Sequence, residues 1–378
     1  MLSVSAPPTR PLQRTSASFV RGRVVHRILA CLTMPQMPCT PSYRQRIDSH
    51  SPANDKASHA KSSNVSAVVV TYESSACISR CIDALTTHVT PREILVVDNA
   101  SRDRTVEALA SATNVDVIVN DVNMGFGRAC NVGAARARSD MILFVNPDAV
   151  VDRVDRACFG TLVDRARGVC GFASSGLAAF KEHSIATDML DQALTPLKPR
   201  EVPLLGRARK KPDWVSGSAL LVNRDEFFEL GGFDERLFLY YEDRELCARY
   251  RRANAPIRVS QSIGLTHVFG MSSGNMDRTF PYACQILSWI EYTALRAGPL
   301  VAERAMTRVR SFHRQVAKAL NSYPLTQILR GRAERKADQL ISLWETVVNV
   351  ADMLHTSGYY PVASRLILSK ANGYQWDE

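Results

Sequence analysis

The stretch Met141-Ile-Leu-Phe-Val145-Asn146-Pro147-Asp148 indicates how the rest of the chain is organised. Its five apolar residues predict a buried strand, and Pro147 ends that strand because proline has no backbone N–H to donate to a neighbour. Asp148 should then lie just beyond the carboxyl end of the strand, at the edge where open parallel α/β sheets bind their ligands. We interpret Asp148 as a candidate ligand of a metal or of a phosphate-side group. An aspartate in an ordinary turn is the alternative.

Three short apolar strands precede this stretch, and helical patterns separate them. The predicted strands are Val65–Thr71, Glu93–Val97 and Val115–Val119. After the first strand, apolar residues recur at the spacing of one helix face, with Ser74 or Ser75 available as N-cap. After the second, Ser101 is expected to cap a helix whose buried stripe would be Val106, Leu109 and Ala110. Short strands that alternate with helices imply crossover connections, so we predict an α/β fold with a mostly parallel sheet flanked by helices.

The second half of the chain shows a weaker pattern. It predicts, in chain order, a helix over 152–166, a strand over 169–173, a flexible loop over 174–213, a strand over 214–222, short strands over 257–259 and 263–267, and helices from about 278. Residues 1–64 are rich in Ser, Pro and Arg without sustained periodicity, which is typical of a disordered arm. We therefore predict a basic arm over 1–64, an ordered domain from residue 65, and a basic helical extension over 277–378.

Composition restricts the class of protein. The 378 residues carry a formal net charge of +10, which favours acidic or phosphorylated partners. No apolar run approaches the ~18 residues that span a bilayer. The nine cysteines include no Cys-x-x-Cys pair, so we expect neither a zinc site nor a disulfide framework, and we expect a reducing cytoplasmic location.

Polar groups follow three of the predicted strands. They are Thr71-Tyr72-Glu73, Asp98-Asn99 and Asn146-Pro147-Asp148. The carboxyl ends of parallel strands meet at one edge of a sheet, so these groups should face a single ligand. An aromatic ring beside carboxylate and amide groups suits a nucleotide base and ribose, and a later carboxylate suits Mg²⁺ or Mn²⁺ bridging a diphosphate. The three strand ends therefore predict a nucleoside-diphosphate site with its metal.

A dinucleotide-binding dehydrogenase does not fit this pattern. Its Gly-x-Gly-x-x-Gly loop would follow the first strand, where this chain has Thr71-Tyr72-Glu73. Gly125-Phe-Gly127 comes only after the third strand and has Cys130 at the position of the last glycine. The sequence also lacks a Walker loop and the glycine-rich loop that a sugar-nucleotide-forming nucleotidyltransferase would place after its first strand.

Six ordered motifs between residues 65 and 273 carry a resemblance to a known family. They are Val-Val-Val-Thr71-Tyr72, Val-Val-Asp98-Asn99-Ala-Ser101, Asn123-Met-Gly125-Phe-Gly127-x-Ala-x-Asn131-x-Gly133, Phe-Val-Asn146-Pro-Asp148, Trp214-Val-Ser-Gly217-Ser-Ala-Leu-Leu-Val, and Gly-Gly232-Phe-Asp-Glu-x-Leu-Phe-Leu-Tyr-Tyr-Glu242-Asp243-x-Glu-Leu-Cys-x-Arg249. In this order they resemble the family 2 glycosyltransferases, and within them the rhamnosyltransferase-like branch that builds bacterial surface polysaccharides.

The resemblance implies a GT-A fold over 65–276, with a nucleotide-sugar-binding half over 65–151 and an acceptor-binding, catalytic half over 152–276. It implies inverting, metal-dependent transfer of a sugar from a nucleoside-diphosphate donor to a glycan or lipid-linked acceptor in cell-surface polysaccharide synthesis. The expected donor is dTDP-rhamnose, which would supply L-rhamnose; galactofuranose, glucose or N-acetylhexosamine donors are alternatives. A catalytically silent nucleotide-sugar-binding protein is an alternative from another class, and the joint presence of Asp98, Asp148 and Asp243 argues against it.

Residue roles carried over from the family fall on both halves. Asp243 would be the general base. Asp148 would hold Mg²⁺ or Mn²⁺ through an Asp-x-Asp-type motif, present here as Asn-Pro-Asp. His267 matches the family's later histidine near the metal and diphosphate, and a satisfied core histidine is the alternative. The residues predicted to bind nucleotide or substrate are Thr71, Tyr72, Glu73, Asp98, Asn99, Asn131, Asn146, Trp214 and Glu242.

Structural alternatives accompany several of these roles. The family often has Asn where Glu73 stands. A solvated helix start is the alternative for Glu242 and Asp243, because acidic residues favour the first turn of a helix. Trp214 is expected to pack more readily than to stack on a sugar.

The arginines and lysines between 304 and 336 motivate a further hypothesis, peripheral attachment to the cytoplasmic face of an anionic inner membrane. Helices that cover the core with solvated charges are the alternative. No nucleic-acid partner is expected, because no recognised nucleic-acid motif accompanies the charge.

Overall fold

The computed structural model describes residues 63–110, 112, 114–165, 167–174, 179–197, 211–267, 279–322 and 327–371. The predicted basic arm over 1–64 lies outside the described residues except for its last two positions. The described residues all belong to one compact unit, Ala57–Glu378.

A mixed eight-stranded sheet forms the core of this unit. Its strands are β1 (Ser63–Thr71), β2 (Pro91–Asp98), β3 (Val115–Val119), β4 (Met141–Val145), β5 (Ala149–Val154), β6 (Val169–Ser174), β9 (Ala219–Asn223) and β10 (Ile257–His267), and a separate pair consists of β7 (Ala179–Phe180) and β8 (Trp214–Val215). The large sheet has the order β3-β2-β1-β4-β9-β6-β10-β5. The first four strands pair in parallel, β9 runs antiparallel to both β4 and β6, β10 is parallel to β6, and β5 is antiparallel to β10.

Helices connect the strands and form the C-terminal region. In the described residues they are α1 (Ile78–Ala84), α2 (Phe126–Arg136), α3 (Arg156–Arg165), α4 (Ile185–Leu194), α5 (Arg224–Glu229), α6 (Glu242–Arg252), α7 (Thr279–Ala297), α8 (Pro299–Ser322), α9 (Gln327–His355) and α10 (Pro361–Ala371). None of these helices is long and apolar enough to cross a membrane.

The side chains of β1 show why helices cover the sheet on both faces. Val65, Ala67 and Val69 belong to one hydrophobic cluster, while Val68 and Val70 belong to another. Successive side chains of a strand point to opposite faces, and here both sets are buried. Residues of α1 join the first cluster and residues of α2 the second. This arrangement confirms the predicted fold class, an α/β fold with a sheet flanked by helices and a helical C-terminal region. The sheet, predicted to be mostly parallel, is mixed, with four parallel and three antiparallel strand pairs.

The strand register brings the predicted site residues to one edge. Thr71 pairs with Asp98 across β1 and β2, and Val145 of β4 pairs with Val69 of β1. The turn after β4 therefore begins beside the last residues of β1. The predicted convergence of three strand ends is confirmed.

The C-terminal helices share a core with the segment that precedes α6. Trp289 of α7 and Trp344 of α9 are 0% and 2% exposed, and Leu237 and Phe238 belong to the same cluster. The hydroxyl of Ser288 in α7 also donates a 2.7 Å hydrogen bond to the carbonyl oxygen of Leu239. The helical extension thus contacts the chain just before the predicted base.

Two predicted helix starts are wrong. The first helix begins at Ile78 with Cys77 as its N-cap and without a side-chain cap. After Ser101 the chain makes only a 3₁₀ turn, Glu107–Leu109, and Val106 of the predicted buried stripe is 36% exposed. The hydroxyl of Ser101 donates to Asp98 instead. Serine hydroxyls bond several nearby groups equally well, so a cap pattern alone does not decide which group they bond.

The predictions for the second half need three further corrections. Residues 149–154 form β5 and α3 begins only at Arg156, because β10 offers them a strand partner more than a hundred residues away. Part of the predicted loop over 174–213 is ordered, with α4 capped by Ser184, whose side chain accepts the N–H of Thr187. The predicted strand over 214–222 is two strands interrupted by residues 216–218, and the two short strands over 257–267 are one.

Candidate active site

Asp98 organises the end of β2 and is 0% exposed. Its Oδ1 accepts the hydroxyls of Thr71 at 2.8 Å and of Ser101 at 2.6 Å, and its Oδ2 accepts the N–H of Ser101 at 2.9 Å. Thr71 is fully buried as well. These three hydrogen bonds hold the loop after β2 against the end of β1, beside the half-buried ring of Tyr72.

Asn99 connects this edge to the glycine motif. Its Nδ2 donates to the carbonyl oxygen of Gly125 at 3.1 Å, its Oδ1 accepts from Asn120 at 2.9 Å, and its N–H donates to the carbonyl oxygen of Thr71 at 2.8 Å. Asn99 is 2% exposed, so its side-chain amide bonds protein groups and stabilises this edge.

Glu73 adopts the left-handed conformation, with φ of 51°. Non-glycine residues rarely do so, and Asn tolerates that region better than most. This backbone geometry accounts for the Asn that the family often has at this position. Here Glu73 stabilises the turn with Oε1, which accepts the N–H of Arg102 at 2.7 Å, while its own N–H donates to the Ser101 hydroxyl at 2.9 Å.

The turn after β4 buries the carboxylate of Asp148 and the amide oxygen of the half-buried Asn146. Asp148 is 4% exposed. The turn is closed by the N–H of Ala149, which donates to the carbonyl oxygen of Asn146 at 3.0 Å. The Oδ1 of Asn146 is buried and has no hydrogen-bond partner. Burial raises the pKa of the nearby Cys77 thiol to about 11, with the negative charge of Asp148 contributing.

These residues fit a divalent cation. An unpartnered buried amide oxygen beside a buried carboxylate is an oxygen donor set of the kind that Mg²⁺ and Mn²⁺ prefer. Within the described part of the chain, no group of three or more His, Cys, Asp or Glu side chains could hold a metal alone. Mg²⁺ usually takes one or two carboxylates and completes its shell with water and substrate phosphates, so the donor set matches a metal shared with substrate.

His267 lies close to this turn in the sheet. Its Cα is paired with Ala149, the residue after Asp148, where β10 runs antiparallel to β5. The side chain of His267 lies outside the described residues, so its role as a metal ligand stays a prediction.

Asp243 occupies the first turn of α6, and backbone N–H groups hold both of its oxygens. Gly217 donates to Oδ2 at 2.7 Å and Arg244 donates to Oδ1 at 2.7 Å. Burial raises the pKa of Asp243, while these two N–H groups and the charge of Arg244 oppose the shift. The carboxylate is therefore oriented by the backbone and stays available to one more hydrogen-bond donor.

A second carboxyl group lies beside it. Glu242 is 7% exposed, and its Oε2 has no hydrogen-bond partner. Burial raises the pKa of Glu242, and the neighbouring charge of Asp243 raises it further. A solvated helix start, the structural alternative for this pair, does not match this burial.

The interruption between β8 and β9 links the two predicted functional carboxylates. Gly217 holds Asp243, and the carbonyl oxygen of the next residue, Ser218, accepts the N–H of Asn146 at 3.0 Å. Residues 216–218 therefore contact both the turn after β4 and the start of α6. The sequence signal for this break is Ser216-Gly217-Ser218, which interrupts the apolar residues on either side and contains a Ser-Gly pair that favours turns.

Two consecutive residues before α6 have strained backbones. Tyr240 and Tyr241 have φ of 72° and 66°. Such conformations cost about 1–3 kcal/mol each and are found mainly where the surrounding structure enforces them, often at functional sites. Tyr240 keeps 39% of its surface exposed; burial of the rest raises the pKa of its hydroxyl, and the charges of Glu242 and Asp148 contribute. The Tyr240 hydroxyl therefore lies near carboxyl groups of both halves.

Asn131 and Trp214 make contacts that belong to packing. The amide of Asn131 pairs with the backbone of Phe233, accepting its N–H at 2.9 Å and donating to its carbonyl oxygen at 3.0 Å. Trp214 stacks on Phe180 with ring centroids 4.2 Å apart. The packing that was expected of Trp214 is thus present. Contacts of either residue with substrate stay predictions.

An ion-pair network behind Asp243 was missed by the sequence analysis. The Arg244 guanidinium donates to Oε1 of Glu182 at 2.9 Å and to Oδ1 and Oδ2 of Asp188 at 3.0 and 2.8 Å. Both carboxylates lie in the segment predicted to be a loop. No local pattern signals a contact across more than 50 residues, so only the fold reveals it.

The polar strand ends, the carboxyl groups and the break at 216–218 together form a candidate site on an α/β sheet. Residues 66–173 match the family model described as Glycosyl transferase family 2. This match covers the parallel half-sheet and the turn after β4, and it confirms the resemblance to family 2 glycosyltransferases seen in the motifs.

Curated relatives include rhamnosyltransferases at modest identity. The chain is 29% identical over 219 residues to the N-acetylglucosaminyl-diphospho-decaprenol L-rhamnosyltransferase of Mycobacterium tuberculosis, an alignment covering 49% of this chain and 70% of the relative. It is 23% identical over 220 residues to the rhamnosyltransferase WbbL of Escherichia coli, covering 53% of this chain and 81% of the relative.

Two solved structures with a similar arrangement contain a nucleotide or a nucleotide sugar. One is the mannosyltransferase PcManGT from Pyrobaculum calidifontis with GDP-Man and Mn²⁺, at 14% identity and a TM-score of 0.46, covering 75% of this chain and 86% of that one. The other is S. aureus TarS 1-349 with UDP, at 16% identity and a TM-score of 0.39, covering 82% of this chain and 92% of that one.

Proposed function

We propose that this chain transfers a sugar, with inversion at the anomeric carbon, from a nucleoside diphosphate to a glycan or lipid-linked acceptor. L-Rhamnose is the sugar that the similarity to rhamnosyltransferases favours, and dTDP-rhamnose is the donor that would supply it. The observation that carries the proposal is the hydrogen bonding of Asp243, whose two oxygens accept the N–H groups of Gly217 and Arg244 at 2.7 Å each. Asp243 is half-buried, so a carboxylate held in this way is accessible and has a fixed direction in which to accept a proton.

Asp243 is the proposed general base. An acceptor hydroxyl oxygen forms a bond to the anomeric carbon, its proton passes to the Asp243 carboxylate, and the bond from that carbon to the diphosphate oxygen breaks. One in-line displacement of this kind inverts the configuration, and a positioned base typically contributes 10²–10⁴-fold in rate. The N–H groups on both oxygens orient the carboxylate before the acceptor arrives.

The nucleoside of the donor is assigned to the edge formed by β1 and β2. Tyr72 is half-buried and offers an aromatic face there. The Asp98 carboxylate accepts hydrogen bonds from Thr71 and Ser101, so part of its proposed contribution to nucleotide binding is to fix the conformation of the loop after β2.

Asp148 and Asn146 are the proposed protein ligands of Mg²⁺ or Mn²⁺, with His267 as a further predicted ligand. A divalent cation at this position would neutralise the charge that develops on the leaving nucleoside diphosphate. The partnerless Oδ1 of Asn146 supports this assignment, because a buried acceptor without a donor is costly unless a ligand completes it.

A donor panel tests the proposal. The purified chain is incubated with dTDP-rhamnose, UDP-galactofuranose, UDP-glucose or UDP-N-acetylglucosamine, with Mg²⁺, Mn²⁺ or EDTA, and release of nucleoside diphosphate and thermal stabilisation are measured. We expect one donor to respond and EDTA to abolish the response. A chain that binds none of these donors with either metal contradicts the proposal.

Two substitutions assign the roles. Asp243→Asn should lower kcat by about 10²–10⁴-fold while leaving the donor's Kd within about twofold, because the amide cannot take the proton. Asp148→Ala should remove the metal dependence of donor binding. Asp83→Ala, at an exposed residue of α1, is the matched control and should behave as the parent chain does. Transfer at the parent rate by Asp243→Asn would exclude it as the base.

A further inference from the structure

The ion-pair network around Arg244 lies directly behind the proposed base. Arg244 is 5% exposed, and its guanidinium contacts Glu182, which precedes α4, and Asp188 within α4. Arg296 of α7 reaches the same two carboxylates, at 2.9 Å from Glu182 and 3.3 Å from Asp188. Arg244 of α6 and Arg296 of α7 therefore share the same two carboxylates in and before α4.

Aromatic rings enclose the same guanidinium. Its carbon lies 5.8, 5.4 and 5.1 Å from the ring centroids of Trp214, Tyr241 and Tyr292. We call these three rings, with Glu182 and Asp188, the Arg244 box. Arg is suited to it, because the planar guanidinium bonds two carboxylates at its edge while its faces lie against aromatic rings. The position of Arg244 is fixed by charge and by shape together.

The strained turn before α6 is attached to this box. Tyr241, with φ of 66°, contributes one of the rings, and its hydroxyl accepts a 3.0 Å hydrogen bond from Gln192 of α4. A left-handed tyrosine persists only where its surroundings enforce it. The contacts to α4 and to Arg244 provide that enforcement.

We propose that Arg244 is a positioning residue, which uses Glu182 and Asp188 to hold the start of α6 so that Asp243 faces Gly217. This inference rests on the proposed function and deepens it. The backbone N–H of Arg244 bonds Oδ1 of Asp243 while its side chain is anchored on the opposite side. A shift of the Arg244 side chain therefore moves the base itself. An error of about 1 Å in such a position can lower a rate by about 10²-fold.

The same helix offers a matched control. Arg249 pairs with Glu245 at 2.6 Å in a partly buried salt bridge, and neither residue bonds Asp243. Replacing Arg249 by lysine makes the same change at a comparable ion pair of α6 and leaves the surroundings of Arg244 intact.

The experiment compares Arg244→Lys with Arg249→Lys in the full chain. Lysine keeps the charge and fills much of the same space, so Arg244→Lys is the variant most able to fold, but it cannot bond both carboxylates as a fork. We expect its kcat to fall about tenfold with the donor's Kd within about twofold. Arg244→Gln, which also loses the charge, should fall further, so lysine acts as a partial rescue. Arg249→Lys should stay within about threefold of the parent.

Hydrogen–deuterium exchange reports position without requiring activity. In Arg244→Lys, we expect amides in residues 214–219 and 242–245 to exchange at least about tenfold faster, because the N–H groups of Gly217 and Arg244 lose their fixed acceptor. Arg249→Lys should leave 214–219 unchanged. The proposal is overturned if Arg244→Lys matches the parent in exchange, or if Arg249→Lys exposes the same amides. If the parent chain transfers no sugar, the proposed function fails and the exchange result alone decides the role of Arg244.

Discussion

Phe126 donates its N–H to the carbonyl oxygen of Phe238 at 2.9 Å, which joins the glycine motif of the parallel half-sheet to the segment that precedes α6. Gly125, beside it, has φ of 75° and passes so close that an added Cβ would lie 2.4 Å from the same carbonyl oxygen. The glycine motif, which a nucleotide-loop interpretation would have placed against phosphate, instead holds the proposed catalytic segment.

Gly125→Ala should therefore disturb both stability and catalysis. Backbone strain alone costs about 1 kcal/mol or more at a positive φ, and the clash with Phe238 adds to it. Gly298→Ala is the control, because Gly298 has φ of 91° but nothing within 4 Å of an added Cβ. We expect Gly125→Ala to lower Tm by clearly more than Gly298→Ala does, and to lower kcat as well. Equal losses of Tm in Gly125→Ala and Gly298→Ala would show that the clash with Phe238 does not contribute to the destabilisation.

Glu242→Gln should make stability less dependent on pH. The raised pKa of Glu242 means that the folded chain holds its proton more tightly than the unfolded chain. Its contribution to stability is therefore fully present below the ordinary glutamate pKa and is lost as pH rises through the folded pKa. Glutamine does not titrate, so the Tm advantage of Glu242→Gln over the parent should grow between about pH 5 and about pH 9, by a few °C.

Glu107→Gln provides the control for this titration. Glu107 is exposed, and its replacement should give the same small Tm difference at every pH. A Tm difference for Glu242→Gln that stays constant from acid to alkaline pH would contradict the burial of an unpaired carboxyl group at the start of α6.

His313 should make the chain sensitive to acid. The Trp344 Nε1–H donates to Nδ1 of His313 at 3.0 Å, and the opposite nitrogen lies 2.8 Å from the carbonyl oxygen of Ala193, which assigns a neutral ring with its proton on Nε2. Burial lowers the pKa of His313 from 6.5. Because the pKa of His313 is lower in the folded chain than in the unfolded chain, its contribution to stability is fully present above the unfolded-state pKa. That contribution is lost as pH falls through the folded-state pKa.

His313→Phe removes this titration. It should lower Tm at neutral pH, because two buried polar groups lose their partner at about 1–3 kcal/mol each. Its further loss of Tm between about pH 7 and about pH 5 should then be smaller than that of the parent. His355→Gln, at an exposed residue of α9, should follow the parent at both pH values.

The exposed face of α8 is the part of the helical region best suited to an anionic membrane. Arg304, Arg308 and Lys318 are exposed, and Leu300 at its start is 71% exposed. Glu303 is the helix's only acidic residue, and it pairs with Lys370 at 2.8 Å. We expect the chain to float with phosphatidylglycerol vesicles at low salt and to dissociate as salt rises, because the attraction is electrostatic.

The triple variant Arg304→Gln, Arg308→Gln and Lys318→Gln should no longer float. A second triple variant, Arg80→Gln, Arg92→Gln and Arg167→Gln, removes the same charge from exposed positions elsewhere and should bind as the parent does. Equal loss of flotation in both variants would attribute binding to net charge and would remove α8 as the attachment surface.

Local patterns in the sequence determined the parallel half of the sheet and the edge on which the site lies. The strands at Val65, Glu93, Val115 and Met141 are short apolar runs that end in polar groups, and such runs specify strand and strand end without help from distant residues. They do not specify burial, because Val117 and Val119 lie on the edge strand β3 and are 38% and 58% exposed. The motif around Asp243 indicated the proposed base, because its spacing matched a family pattern. The C-terminal region was predicted to be helical from about residue 278, and α7 begins at Thr279.

Tertiary structure alone decided the contacts that hold the site together. β5 forms by pairing with β10. Gly217 donates its N–H to Asp243, and the Arg244 guanidinium bonds two carboxylates more than 50 residues away along the chain. Interactions of this kind join groups whose separation along the chain has no period, so no window of sequence contains both partners. The sequence could show which carboxylates are available for chemistry, and only the fold could place residues 216–218 between Asp243 and the turn that carries Asp148.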